Sequence, residues 1–174
     1  YVYVRNAGVW TEQAKITASD GSKNDHFGET LSISGDTLVI GAPEDDDDGI
    51  SSGSAYIYVR DSGVWTEQAK ITASDGSSSA RFGQGVFISG DMLMATAAKW
   101  DADLGFNVGL AYVYVRNAGL WTEQTKVLAS DTPDSFGTSL SMSNDTLVMS
   151  ASRDDGVAPD TGSVYTYQAT VGAC

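Results

Sequence analysis

Little in this sequence can act as a nucleophile, a base or a soft metal ligand. The 174 residues include one cysteine and one histidine. Cys174 has no partner for an internal disulfide, so cysteine usage says little about redox compartment. Cys174 and His26 together are too few for a zinc site. A Ser-His-Asp arrangement needs a positioned imidazole, and nothing marks His26 as one. It stands beside Phe27 and is read as a surface or inter-sheet residue. Basic residues are also scarce, 10 against 23 acidic, for a net charge of -13. Such a field repels nucleic acid and anionic membranes and attracts cations. No apolar run approaches the roughly 18 residues of a membrane-spanning helix, so no membrane insertion is expected. Helix signals are poor throughout. Phosphate loops and nicotinamide or flavin fingerprints are missing. Paired carboxylates for glycoside hydrolysis would rest on the abundance of acids alone, so no enzyme is expected. The chain starts at Tyr1 with neither Met nor a leader-like segment and reads as a mature or excised segment.

What the sequence does have is a repeat. Tyr56-Ile-Tyr-Val-Arg-Asp-Ser-Gly-Val-Trp-Thr-Glu-Gln68 occurs almost verbatim from Tyr1 to Gln13 and from Tyr112 to Gln124, and a decayed copy starts at Tyr165. The period is roughly 55 residues, in the range of repeat arrays. The hydrophobic share of 41% supports a packed core, and nineteen glycines supply turns.

The best-preserved unit predicts four strands. Leu31 and Ile33 alternate with Ser32 and Ser34, a period-two strand. Ser34-Gly-Asp-Thr37 is a two-residue hairpin of the Gly-X kind. Leu38 to Ala42 is apolar on both parities and should be buried on both faces, with Pro43 ending it. Glu44 to Ser54 reads as an acidic loop. Ser54 to Arg60 is the third strand, and Asp61-Ser-Gly63 reads as a three-residue turn. Trp65 to Ala73 is the fourth strand, with Thr66, Gln68, Lys70 and Thr72 on one polar parity opposite Trp65, Ala69 and Ile71. Apolar content falls toward this last strand, as in a propeller blade. The chain is thus expected to be all-β, a single array of four-stranded antiparallel meanders. Residues 1–18 would be the last two strands of a blade, 27–73 and 82–129 full blades, and 136–168 the first three strands of another.

The residues Phe27-Gly28, Leu38-Val-Ile-Gly-Ala-Pro43 and Gly53-Ser-Ala-Tyr-Ile-Tyr58 resemble the FG-GAP repeat, the blade of the integrin alpha-subunit propeller and of many secreted proteins. The second unit keeps Phe82-Gly83 but has Thr96-Ala-Ala98 in place of Gly-Ala-Pro. The third keeps Phe136-Gly137 and has Ser150-Ala-Ser152. The resemblance implies closed rings of six or seven blades. It also implies calcium in an Asp-x-Asp-x-Asp-Gly loop, but that loop is replaced here by Ser34-Gly-Asp-Thr37, Ser89-Gly-Asp-Met92 and Ser143-Asn-Asp-Thr146. One carboxylate per turn is too few for calcium. Asp36, Asp91 and Asp145 are read as turn residues, and the family's metal site is not carried over.

An open stack would leave two bare faces, each with about ten inward side chains. At about 1.5 kcal/mol per side chain, each face forgoes on the order of 15 kcal/mol. Other copies of the chain, or further propeller segments, are therefore expected as partners.

Other candidates lie in loops. Glu44, Asp45, Asp46, Asp47 and Asp48 crowd into one loop and would gain from a divalent cation such as calcium. Asp101, Asp103, Asp154 and Asp155 occupy the counterpart segments. The alternative is a solvated loop that keeps the protein soluble. Asp20, Asp75 and Asp131 recur at one position, which favours a shared turn over a metal. Trp10, Trp65 and Trp121 recur just after a turn, either as rim packing or as a stacking platform for glycans. Trp100, outside the repeat pattern in what reads as a loop, is a candidate partner contact. Asn144 begins a glycosylation sequon that would matter in a eukaryotic secretory protein. Two functions follow as expectations. One is a non-enzymatic extracellular or cell-surface module for adhesion and assembly, including surface filaments. The other is a calcium-dependent, carbohydrate-binding propeller that contacts glycans or extracellular proteins.

Overall fold

The computed structural model describes residues 1–101, 106–128, 136–143, 146–154 and 158–168. The side chains of 98–101, 106–108 and 138 are not described. Thirteen strands and no helix occur among the described residues. Each sheet is an antiparallel meander in chain order. β1 (Val2–Asn6) and β2 (Val9–Ala14) form a two-stranded sheet. β3 (Thr30–Ser34), β4 (Thr37–Ala42), β5 (Ser54–Asp61) and β6 (Val64–Ile71) form the first four-stranded sheet. β7 (Gly85–Ser89), β8 (Met92–Asp101), β9 (Phe106–Asn117) and β10 (Leu120–Leu128) form the second. β11 (Phe136–Ser143), β12 (Thr146–Ala151) and β13 (Ser163–Gln168) form a three-stranded sheet. These are the expected blades of a partial propeller.

The sheets bury both faces by stacking. One parity of β4 and β5 (Val39, Ala55, Ile57) packs against Phe82, Val86, Ile88, Leu93 and Tyr112 of the second sheet. The other parity (Leu38, Ile40, Tyr56, Tyr58) packs against Val2, Ile16 and Ala18 of the two-stranded unit. Met94 and Ala111 of the second sheet meet Phe136, Leu147 and Met149 of the third. Every residue of β4 is buried, as an apolar run on both parities requires.

Tight turns set the ladders. Gly35, with φ +58°, opens a two-residue link between β3 and β4, and Gly90 does the same between β7 and β8. The turn between β5 and β6 also has two residues rather than three. Ser62 and Gly63 both have positive φ (49° and 85°), as a type I′ hairpin demands. Ala7-Gly8 and Ala118-Gly119 repeat it.

The polar parity expected on the fourth strand breaks at a β-bulge. Ile57 pairs with Ala69 but Tyr58 pairs with Glu67, leaving Gln68 as the extra residue. Gln13 and Gln124 hold the same place in β2 and β10. An extra residue reverses which side chains share a face. Glu67 and Lys70 therefore lie opposite Tyr58 and Tyr56, not on opposing faces. A second difference lies at Trp100. Where the first sheet has the acidic loop, β8 continues to Asp101 and pairs back onto β9, with Trp100 opposite Asn107 and Asp101 opposite Phe106. Trp100 is thus in a strand, not a loop. With Ala98 where Pro43 stands, no proline ends the strand.

Candidate functional site

The seams between sheets carry most of the specific chemistry, and they are built from the motif residues. Phe27 meets Tyr56 edge-on at 5.2 Å, and Phe82–Tyr112 (5.2 Å) and Phe136–Tyr165 (5.4 Å) repeat the contact. Gly83 and Gly137, the glycines after Phe82 and Phe136, dock onto the preceding sheet. A Cβ on Gly83, at φ +86°, would strike the Ser54 carbonyl, and one on Gly41 would strike the Gly83 carbonyl. Thr30 Oγ1 donates to that same Gly83 carbonyl at 2.7 Å.

The departure from Gly-Ala-Pro in the second unit is compensated at the seam. Thr30 pairs with Gly41 in the first sheet, and Gly85 pairs with Thr96 in the second. The threonine and glycine have changed strands. Thr96 Oγ1 donates to the Gly137 carbonyl at 2.9 Å, as Thr30 does to Gly83. The hydroxyl reaches the next sheet from either side of the same rung.

The tyrosines of each third strand reach back to the preceding unit. Tyr58, Tyr114 and Tyr167 donate to the carbonyls of Thr17, Thr72 and Leu128 at 3.0, 3.1 and 2.8 Å. The amides of Ile88 and Gly90 donate to Ser32 Oγ and Ser34 Oγ of the first sheet (3.1 and 3.0 Å). Arg60 and Arg116 pair with Asp36 and Asp91 of the Ser-Gly-Asp turns, and Arg116 also donates to Thr37 Oγ1 of the first sheet at 2.9 Å.

The tryptophans belong to these seams too. Trp65 Nε1 donates to Gln13 Oε1 (3.1 Å), and Trp121 Nε1 to Gln68 Oε1 (3.2 Å). The acceptors are the bulge residues of the preceding unit. Arg60 and Arg116 lie over the two indoles at 5.2 and 5.1 Å. Trp121 is 8% exposed, whereas Trp10, with no unit before it among the described residues, is 64% exposed. Trp65 and Trp121 are thus each bonded to the preceding unit at the rim. The signal for this contact was present in the sequence, as a glutamine three residues after each tryptophan.

The acidic loop is held by its own hydrogen bonds and by two cations from outside it, Lys70 and Arg81. Asp45 is buried. Its carboxylate accepts from Ser54 Oγ (3.0 Å), Tyr56 OH (2.9 Å) and the Asp47 amide (3.1 Å). Lys70 Nζ, on the outer strand, lies 3.0 Å from Asp45, 2.8 Å from Asp20 and 2.5 Å from Asp47. Tyr56 OH also lies 2.8 Å from Asp20, so its single proton is shared between the two carboxylates. Asp46 accepts from the Ser51 amide at 2.7 Å, Glu44 pairs with Arg81 of the next unit, and the Asp48 amide donates to Ser52 Oγ. Burial pushes Asp45 up, but Lys70, the Asp47 amide and Tyr56 outweigh it and hold the carboxyl below its ordinary value. Asp20 is lowered by Lys70 first and then by Tyr56. Burial would lower Lys70, yet its acidic and tyrosine partners raise it well above the usual lysine value.

The second unit repeats the arrangement in reduced form. Tyr112 OH and Lys126 Nζ meet Asp75 at 2.8 and 2.7 Å. In the third, Tyr165 donates to Asp154 at 3.1 Å. Lys15, Lys70 and Lys126 lie over Tyr1, Tyr56 and Tyr112 at 5.7, 5.0 and 5.1 Å. The shared position of Asp20 and Asp75 is thus an anchor for the next sheet's tyrosine. The expected calcium finds a poor fit in this loop, because an ammonium already stands where its Asp45 and Asp47 converge with Asp20. No group of three or more His, Cys, Asp or Glu side chains is placed to hold a metal among the described residues. Asp103, Asp131, Asn144, Asp145 and Asp155, together with the side chains of Trp100 and Asp101, lie outside the described residues.

No curated protein matches the chain. The profile of the FG-GAP repeat matches it three times, over residues 10–58, 65–114 and 121–167. Each match begins at the tryptophan of one outer strand and ends in the Tyr-x-Tyr strand of the next sheet, so it spans a seam. With these matches covering most of its length, the chain belongs to the FG-GAP repeat family.

Proposed function

We propose that this chain is a non-enzymatic structural and adhesion module of the extracellular space or cell surface, which works by stacking sheet on sheet with other copies of itself or with further propeller segments. One observation carries the reading. Leu31 and Ile33 on β3 are 64% and 54% exposed, while Val86 and Ile88, at the same positions on β7, are 7% and 3% exposed. The exposed pair lines a groove of about 430 Å³ with Leu38, Ile40, Phe27 and Tyr3. In the second sheet the equivalent face is covered by its neighbour. A bare strip of this kind favours association. The net charge of -13 argues against nucleic acid as the partner.

The calcium-dependent, carbohydrate-binding reading draws less support, since Trp65, Trp121 and the first acidic loop are engaged internally. Sedimentation equilibrium over a range of concentrations tests the proposal. The expected result is a mass above one chain that dissociates on dilution. A single-chain mass at every concentration, with cooperative unfolding, would overturn it.

A further inference from the structure

The outer hairpins share one feature that packing within the chain does not use. Each type I′ turn is followed at once by an aliphatic residue, Val9, Val64 or Leu120. The cross-strand partners are Asn6, Asp61 and Asn117, none of them apolar. The three side chains are 62%, 62% and 68% exposed. Val64 decides what this exposure means. Its sheet stands between the β1–β2 hairpin and the second sheet, and the outer seam is made on both sides, Trp65 to Gln13 and Trp121 to Gln68. Val64 stays bare although its hairpin is flanked on both sides. The exposure therefore belongs to the hairpin tip and not to an unstacked face.

The tips lie together at one end of the stack. A meander in chain order puts the turns after β1, β3, β5, β7 and β9 at the same end, and Arg116 of the second sheet reaches Thr37 of the first across it. Charge cancels here among the described residues, with Arg5, Arg60 and Arg116 against Asp36, Asp61 and Asp91. Arg60 and Arg116 are paired with Asp36 and Asp91. The opposite end holds the acidic loop together with Asp20, Asp25, Asp75, Asp154 and Asp160. The net charge of -13 is thus gathered away from the tips. Two such chains repel each other wherever their loop ends meet, and least where both turn ends face.

We infer that the turn end is a docking surface for a second copy of this chain, with the two rows of aliphatic tips laid side by side in opposite directions. Val64 then meets Val64 of the second copy at a two-fold axis, and Val9 meets Leu120. A row of like knobs is complementary to the same row reversed, and covering it removes a repeated apolar strip from water. The contact is separate from the sheet-on-sheet stacking proposed above. Stacking lengthens a row of sheets through Leu31 and Ile33, whereas the tips join one row to another and leave the acidic loops on the two outer faces. Three tips per chain make a small interface, of the weak and reversible class.

The test uses sedimentation equilibrium at high protein concentration on the parent chain, on Val64→Asp with Leu120→Asp, and on Leu31→Asp with Ile33→Asp. All four positions are exposed, and far-UV circular dichroism checks that each variant keeps its strands. The tip variant is expected to raise a dissociation constant about tenfold or more, while the groove variant leaves that step unchanged. In a Cys174→Ser background, Val64→Cys should give a disulfide between chains on oxidation, and Ser77→Cys, exposed at the loop end, should not. Association that the groove variant abolishes and the tip variant leaves intact would overturn this inference while stacking stands. The reverse pattern would support it and overturn stacking. Binding of the parent to phosphatidylcholine vesicles through Val64 and Leu120, with no two-chain species, would make the occupant a lipid surface and overturn the second copy. A single-chain mass throughout would overturn both contacts.

Discussion

At the scale of single residues, the rung that joins Thr30 to Gly41 in one sheet and Gly85 to Thr96 in the next is the clearest compensated change. The seam needs one hydroxyl and one bare Cα, and it tolerates either order. Gly85→Thr alone would force a side chain into Leu140 and the Gly137 carbonyl. Thr96→Gly alone would remove the buried hydroxyl that satisfies that carbonyl. Each single change is expected to cost about 2–3 kcal/mol. The double exchange recreates the first sheet's rung and should recover most of the loss, measured as a coupling energy in urea denaturation. Additive losses would contradict the compensation.

Lys70 is the other decisive residue. Lys70→Met leaves Asp20, Asp45 and Asp47 without their common counter-charge, at a cost of about 3 kcal/mol at neutral pH. The sign of its pH dependence follows from the shifts. Asp20 and Asp45 are held low in the folded state, so their contribution is present above the unfolded carboxylate value of about 4 and is lost as pH falls through the folded values. The deficit of the variant should therefore hold from pH 7 down to about pH 4 and shrink below it, as these carboxylates protonate in the parent protein, in paired denaturation curves. A deficit independent of pH would show that the ammonium does not act through these carboxylates. At the other end of the scale, Lys70 is raised, so its contribution is full below the unfolded lysine value and fades only as pH climbs through the folded one.

Among the elements, the outer strands show where sequence reading stops. Strand positions, the Gly-X hairpins and the doubly buried β4 were legible because period, turn chemistry and apolar parity agree there. The bulge at Gln68 was not, because strict alternation has no place for an unpaired residue. That omission put Lys70 on the wrong face and hid its partners, which lie 50, 25 and 23 positions away in the chain. The extension of β8 past Ala98 was also missed, since Trp100 and its acidic neighbours imitate the loop of the first unit. The bulge has a measurable role. Deleting Gln68 would restore simple alternation, turn Lys70 and Ala69 over, and remove the acceptor of Trp121. A red shift of Trp121 emission, isolated in a variant with the other tryptophans replaced by phenylalanine, and a stability loss of about 2 kcal/mol or more are expected. Gln68→Ala keeps the bulge and should lose about 1 kcal/mol. Equal effects from the two changes would argue that the bulge has no part in aiming the side chain.

For the whole molecule, the repeat unit that the family profile recognises and the sheet that folds are out of phase. Each matched stretch starts on one outer strand and closes on the next sheet. Sequence identity is therefore concentrated on both sides of a seam, at Phe-Gly, Tyr-x-Tyr and the Trp–Gln pair. This fits an array whose stability resides in neighbour contacts more than within any one sheet. The first sheet alone would expose Val39, Ala55 and Ile57 on one face and Leu38, Ile40 and Tyr58 on the other, all buried in the stack. The most direct measurement is thermal unfolding of an excised peptide of residues 27–73, followed by circular dichroism. The account predicts no cooperative transition and no strand signal until neighbouring sheets are attached. A sharp, concentration-independent transition in the isolated sheet would contradict it.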